Sequence, residues 1–170
     1  MSDAPVVPGL EVIALGAASA GRLAAFCGRA TDFFQLIGGV AGGAETAAEM
    51  LGPLPAHVTS GTTRLFGLER DADLVGVLEL LEGFPTPETW YIGLLVLVPE
   101  QRRSGIGGRV WAAVRDWIRA RGGTEVRLVV QQQNAGARAF WERQGFSVDR
   151  EVVAKAYALE SRCWRMLRAL

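Results

Sequence analysis

Apolar and polar positions alternate along this chain in two different rhythms, and the switches between them mark the elements. Leu10–Ala14 is a short apolar run that predicts a first strand. Ala17–Arg29 then carries Leu23, Phe26 and Cys27 on one helical face, with Ser19 placed to cap it. Thr31–Leu36 fits helix or strand, glycines 38, 39, 42 and 43 break the chain, and Glu45–Leu51 predicts a short helix. From Thr62 the period becomes that of a sheet. Thr63–Leu68 and Leu74–Leu81 flank Glu-Arg-Asp-Ala-Asp, which is turn chemistry, so a hairpin is expected.

The loop Glu82–Glu88 holds two prolines and leads into Thr89–Val98, an aromatic and β-branched run that reads as a central strand. Between Gly105 and Ala120, Ile106, Val110, Val114, Trp117 and Ile118 recur at helical spacing, and Gly122 and Gly123 end that helix. Val126–Val130 predicts a strand, Ala135–Gln144 a helix ended by Gly145, Phe146–Val153 a strand and Ala156–Leu167 a final strand. The order is mixed α/β with one sheet flanked by helices. A chain of 170 residues suits one domain, 1–170, with a variable helical region over 1–60 and a core over 62–150.

Composition narrows the partners. Eighteen basic residues balance eighteen acidic ones, which leaves no overall electrostatic footprint for nucleic acid or an anionic membrane surface. No apolar run approaches the roughly 20 residues that span a bilayer, so the expected compartment is the cytoplasm. Cys27 and Cys163 stand far apart, without the spacing of a redox pair or a zinc framework, and read as buried thiols; no metal site is expected. The apolar run from Trp164 to Leu170 suits a homodimer face as well as a core.

The chemistry concentrates in Val96-Leu97-Val98-Pro99-Glu100-Gln101-Arg102-Arg103-Ser104-Gly105-Ile106-Gly107-Gly108, a strand entering a helix through a basic, glycine-rich turn. Glycines let a ligand approach the backbone, and the free N–H groups of a helix's first turn favour an anion such as a pyrophosphate. A nucleoside-triphosphate loop would need a lysine that is absent. A dinucleotide fold would need Gly or Ala where Val110 stands and an acidic residue ending the strand that finishes at Val130-Gln131.

Arg102-Arg103-Ser104-Gly105-Ile106-Gly107 resembles the R/Q-x-x-G-x-G/A signature of the GNAT superfamily of N-acetyltransferases. A second pattern of that family, N-x-x-A-x-x-x-aromatic followed by Gly-Phe, is matched by Asn134, Ala137, Trp141 and Gly145-Phe146. The resemblance implies a GNAT-like fold, a central and mostly antiparallel sheet with one splayed strand pair. It also implies acetyl-CoA as co-substrate and acetyl transfer to a primary amine by direct attack. Rival readings are an acyl-CoA-binding module without chemistry and an acetyltransferase of protein N-termini or lysines.

Carried over by position, backbone groups of Leu95, Val96 and Leu97 would pair with the pantetheine amides. Arg102, Arg103, Ser104, Gly105, Ile106, Gly107 and Gly108 would surround the pyrophosphate, and Asn134 would reach the pantetheine arm. Many relatives place a proton-donating tyrosine where this chain has Trp141, and some place a base where it has Val129. An indole N–H donates a hydrogen bond but gives up no proton at neutral pH. Glu79 and Tyr91 are therefore the candidates for base and proton relay. His57, in a proline-rich connection, reads as a surface residue outside any triad. The acceptor is expected between the helical N-terminal region and the 82–88 loop, walled by Trp90, Tyr91, Phe33 and Phe34, with Glu79, Glu82 and Glu88 favouring a small cationic amine.

Overall fold

The structure is a computed structural model that describes residues 3–56 and 58–170; His57 lies outside the described residues. Seven strands form one sheet: β1 (Glu11–Ala14), β2 (Thr62–Arg70), β3 (Asp73–Glu82), β4 (Thr89–Leu97), β5 (Glu125–Gln131), β6 (Ser147–Ala156) and β7 (Leu159–Ala169). Their spatial order is β1-β2-β3-β4-β5-β7-β6. All neighbours run antiparallel except β4 and β5, whose parallel pairing needs a crossover, supplied by α4 (Ile106–Ala120). The other helices are α1 (Ala20–Arg29), α2 (Thr31–Gly38), α3 (Ala44–Met50) and α5 (Ala135–Arg143).

Each face of the sheet buries its own core. Phe66, Leu68, Leu78, Leu80, Trp90, Ile92 and Leu128 pack with Val110, Val114 and Ile118 of α4 and Trp141 of α5. Val75, Val77, Leu94 and Val96 pack with Leu23 and Phe26 of α1 and Phe34 of α2. Full burial of such side chains contributes roughly 1.5–3 kcal/mol each.

Ile92 and Leu94 have the same parity yet belong to opposite faces. The register explains it: Glu79 pairs with Leu94 and Leu80 with Ile92, so Gly93 is an extra residue, a β-bulge. The parallel pairing stops just before it, Ile92 with Leu128 being its last pair. From Gly93 to Leu97, the edge of β4 that faces β5 has no strand partner among the described residues, and the two strands splay there.

Several elements differ from the sequence expectation. Ala17–Ser19 is a separate 3-10 turn, and Ser19 does not cap α1; its hydroxyl accepts the Gly16 N–H at 3.5 Å. The undecided segment 31–36 is α2, which Gly39 ends in a left-handed conformation (φ 66°). The first hairpin turns on Asp71 and Ala72 alone, both with positive φ. The last two strands meet at a tip formed by Tyr157 and Ala158, so β7 begins at Leu159. The run Trp164–Leu170 lies mostly in β7, between β5 and β6, with Met166 fully buried. Among the described residues, no helix is long and apolar enough to cross a membrane.

Candidate acetyl-CoA and acceptor site

After β4, Pro99–Gln101 makes one 3-10 turn, Arg103 takes a positive φ of 55°, and Gly105 enters α4 from the left-handed region (φ 80°). The Ser104 hydroxyl donates to the Gln101 carbonyl at 2.7 Å, and the Gln101 side chain accepts from Arg70 at 2.8 Å. The Arg109 N–H reaches back to the Gly105 carbonyl, which leaves the N–H groups of Ile106, Gly107 and Gly108 without an intrahelical acceptor. With the helix dipole they make a positive end of about half a charge. Gly107 and Gly108 keep that end bare: a Cβ on Gly107 would stand 3.2 Å from the Phe140 ring.

This helix end opens on a cleft of about 910 Å³. One wall is α2, through Asp32, Phe33 and Leu36; the floor is Leu95, Val96 and Leu97 on the splayed stretch of β4; the far wall is α5, through Asn134, Ala137, Phe140, Trp141, Arg143 and Gln144. A smaller hollow of about 80 Å³ continues into the splay itself, past Gly93, Ile92, Leu128 and Trp141 to Phe33 and Ile37.

Of the residues expected at the cofactor, Leu95, Val96, Leu97, Arg102, Arg103, Gly105, Gly107, Gly108, Asn134 and Trp141 line this cleft. Ser104 and Ile106 do not; the Ser104 hydroxyl is tied into the turn and the Ile106 side chain is buried in the core. Arg102 is not a free cation: Nε donates to the Leu97 carbonyl at 2.8 Å, and both terminal nitrogens donate to the carboxylate of Asp32. Asn134 accepts the Ala137 N–H on Oδ1 at 3.2 Å, capping α5, and Nδ2 donates to no acceptor among the described residues. Trp141 is buried, edge-on to Trp111, Phe140 and Phe146.

Through the splay, on the α1–α3 side, stands Glu79. Its carboxylate lies directly over Gly93, where an added Cβ would come within 2.8 Å of Oε2, and it has no hydrogen-bond or ion-pair partner among the described residues. Burial pushes its pKa above the ordinary carboxylate value. Tyr91 stands two residues from the bulge, edge-on to Phe84 at 6.4 Å. Burial first, then the nearby Cys163, drive its phenol pKa up, against a smaller opposing effect of Arg165.

The remaining expected walls divide. Phe33 lines the cleft, but Phe34 is fully buried and Trp90 lies on the other face of the sheet, edge-on to Trp117 at 5.2 Å. Glu82 is bound by Arg64 through Nε and Nη2, so its charge is already answered. Among the described residues, no cluster of His, Cys, Asp or Glu is arranged to hold a metal ion.

The family model of the Acetyltransferase (GNAT) family matches residues 43–146, more than half of the chain. The chain belongs to the GNAT family. It is an acetyl-CoA-dependent acyltransferase. No curated protein matches its sequence. Among solved structures, this GNAT acetyltransferase is similar to an acetyltransferase from Thermus thermophilus, with 25% identity and a TM-score of 0.74 over 96% of this chain and 99% of that one. An acetyltransferase from Salmonella typhimurium that modifies the N-terminal serine of ribosomal protein L7/L12 shares 19% identity, with a TM-score of 0.78 and coverage of 98% of each chain. The PaiA N-acetyltransferase from Thermoplasma acidophilum, solved in complex with coenzyme A, shares 17% identity, with a TM-score of 0.65 over 95% of this chain and 99% of that one.

Sequence patterns alone do not bring the β6–β7 tip to this site. The Tyr157 ring packs edge-on to Phe34 at 5.5 Å and over Gly38, where a Cβ would stand 2.7 Å away, and the Ala158 N–H donates to the Gly38 carbonyl at 3.1 Å. Tyr157 takes a positive φ of 52° there, but Ala156, Tyr157 and Ala158 include none of the usual turn residues, and nothing local names the tip's distant partner. The α5 residues Phe140, Arg143 and Gln144 are likewise new to the cleft. Their helical spacing from Asn134 and Trp141 is the signal that places them on one wall.

Proposed function

We propose that this GNAT enzyme transfers the acetyl group of acetyl-CoA to a primary amine of a small cationic molecule, by direct attack with both substrates bound. The observation that carries this reading is the bridge between α2 and the β6–β7 tip, the Ala158 N–H to Gly38 carbonyl bond with Tyr157 packed over Gly38. An extended polypeptide needs an open groove beside the reacting centre, and this bridge closes one side of it.

Bound acetyl-CoA supplies a thioester, a reactive acyl donor. In this proposal the N–H groups of residues 106–108 hold its pyrophosphate. The unpartnered edge of β4 at Leu95–Leu97 takes the pantetheine as an added strand, and Nδ2 of Asn134 donates to one of its carbonyls. Backbone N–H groups on that edge polarise the acyl carbonyl. Glu79 anchors the ammonium of the acceptor and takes its proton; the raised pKa brings the carboxylate closer to the amine it must deprotonate. Trp141 can donate only a hydrogen bond, so the departing thiolate takes its proton from solvent.

The test is a thiol-release assay with acetyl-CoA against di- and polyamines, neutral primary amines, and peptides with free Ser or Ala N-termini or internal lysines. Turnover of small cationic amines at kcat/KM on the order of a hundredfold above any peptide supports the proposal. The reverse ranking transfers it to a protein N-terminus, and tight coenzyme binding without thiol release on any amine reduces the chain to a binding module.

A further inference from the structure

The splay between β4 and β5 is a slot with one closed end. It joins the cleft through Phe33, Leu95, Asn134, Ala137 and Trp141, which line both spaces. Its closed end is the Ile92–Leu128 pair, where the two strands come back into register. Helix α2 walls it with Ile37, and α5 walls it with Ala137 and Trp141. Ile37, Ile92, Leu128 and Trp141 are all buried, and side chains packed to that extent yield little.

A pantetheine running from the start of α4 along Leu97 to Leu95 brings its thioester toward Gly93, at the mouth of the slot. With the sulfur on the cleft side and the acceptor on the Glu79 side, the slot is the space left for the acyl chain. It measures about 80 Å³. One water, close in size to a methyl or methylene group, takes about 30 Å³. The methyl of an acetyl group therefore leaves room for about one further carbon, two at the most. The residues lining that room are apolar apart from Gln131 and Asn134.

We propose that this slot measures the acyl chain: the enzyme transfers propionyl as readily as acetyl and rejects a six-carbon chain, with Ile37 setting the limit. The inference rests on the coenzyme lying as proposed above. The transfer itself is unchanged. The amine nitrogen bonds to the acyl carbon and the carbon–sulfur bond breaks; Glu79 takes the amine's proton, and the thiolate takes one from solvent. One more buried methylene favours binding by about threefold, whereas a chain longer than the slot must displace packed side chains. Ile37 is the wall that can be shortened without touching a strand ladder or a proposed coenzyme contact.

Steady-state kinetics with acetyl-, propionyl-, butyryl- and hexanoyl-CoA test it. Propionyl-CoA is expected within about threefold of acetyl-CoA in kcat/KM, and hexanoyl-CoA roughly a hundredfold below. Calorimetry without an acceptor is expected to give the same order of affinities, so the test stands whichever amine is used. Ile37→Ala should raise hexanoyl-CoA relative to acetyl-CoA by on the order of tenfold, and the milder Ile37→Val should raise butyryl-CoA. Leu36→Ala, on the same helix but lining only the cleft, should keep the wild-type ranking. Three results would each overturn the acyl assignment and leave acetyl transfer standing: propionyl-CoA more than about tenfold below acetyl-CoA, hexanoyl-CoA on a par with it, or a ranking unmoved in both Ile37 variants. Failure of the folded wild type to bind any of the four thioesters would overturn the placement of the coenzyme, and this assignment with it.

Discussion

Glu79 and Gly93 face each other across the bulge so closely that the glycine's missing side chain is the space the carboxylate occupies, an added Cβ coming within 2.8 Å of Oε2. Oε2 ends a flexible side chain, so Gly93→Ala is accommodated by moving the carboxylate rather than the strands. The expected outcome is a fall in kcat of tenfold or more with coenzyme A affinity unchanged. Steady-state kinetics beside calorimetry check it. Equal loss of both would mean that the splay, not the carboxylate, had been disturbed.

Glu79→Gln tests the carboxylate directly. As the proposed base it must be ionised, so wild-type activity should rise with pH through a pKa above the ordinary carboxylate value of about 4.3. The glutamine variant should lose that limb and most of its turnover. Stability moves the other way. A pKa raised by burial means that the folded state holds the proton more tightly. The associated stability is therefore full below the unfolded pKa and is lost as pH rises through the folded one. At neutral pH the variant lacks a desolvated charge and should melt higher, by about 2–4 °C for each kcal/mol recovered. Melting curves of both proteins from pH 4 to 8 should converge at the acid end.

Tyr91 is the second candidate from the sequence, and its surroundings favour packing as its role. Burial and the neighbouring Cys163 raise its phenol pKa, so at neutral pH the hydroxyl is a poor proton relay. The ring's edge-on contact with Phe84 survives in Tyr91→Phe. We expect kcat and its pH profile to change by less than about threefold. A tenfold loss in a folded variant would return the hydroxyl to the mechanism.

Gly107→Trp places an indole where even a Cβ stands 3.2 Å from Phe140, over the free N–H groups of the α4 first turn. Calorimetry should show coenzyme A binding weakened by at least tenfold with little change in the melting temperature. Unchanged binding would move the pyrophosphate away from this helix end.

Much of this site is legible because its signals are local. The turn from Arg102 to Gly108 and the cap at Asn134 lie in single stretches whose residue types state their backbone geometry. Trp90 and Tyr91 are neighbours on one strand and point to opposite faces, so the two cannot both wall the acceptor, and parity does not decide between them. Alternation along Thr89–Val98 assigns faces only while the count is unbroken, and one extra residue at Gly93 reverses it, so Trp90 and Val96 share parity and not a face. A glycine inside a strand is the single local hint of such a bulge. Contacts between distant segments leave no trace of that kind. Arg102 reads as a phosphate ligand until Asp32, seventy residues earlier, is found on its guanidinium, and Tyr157 joins the site only because the β6–β7 tip folds onto α2.

The Asp32–Arg102 pair ties α2 to the turn that enters α4, and the same helix carries Phe33 into the cleft and Ile37 into the splay. Asp32 is largely exposed, so the pair contributes at most about 1 kcal/mol to stability. The Arg102 hydrogen bonds hold the carboxylate below its usual range. Its contribution is thus present above the unfolded pKa, near 3.9, and fades only as pH falls through the lowered value; assays at neutral pH see all of it. Asp32→Asn removes an anion from a cleft proposed to hold phosphates, which favours the coenzyme, and it loosens α2, which does not. The two effects oppose each other on coenzyme A, whereas only the second touches the acceptor. Coenzyme A affinity should therefore stay within about threefold of wild type while KM for the amine rises several-fold. A tenfold loss of coenzyme A affinity with an unchanged amine KM would assign the pair to the cofactor instead of the wall.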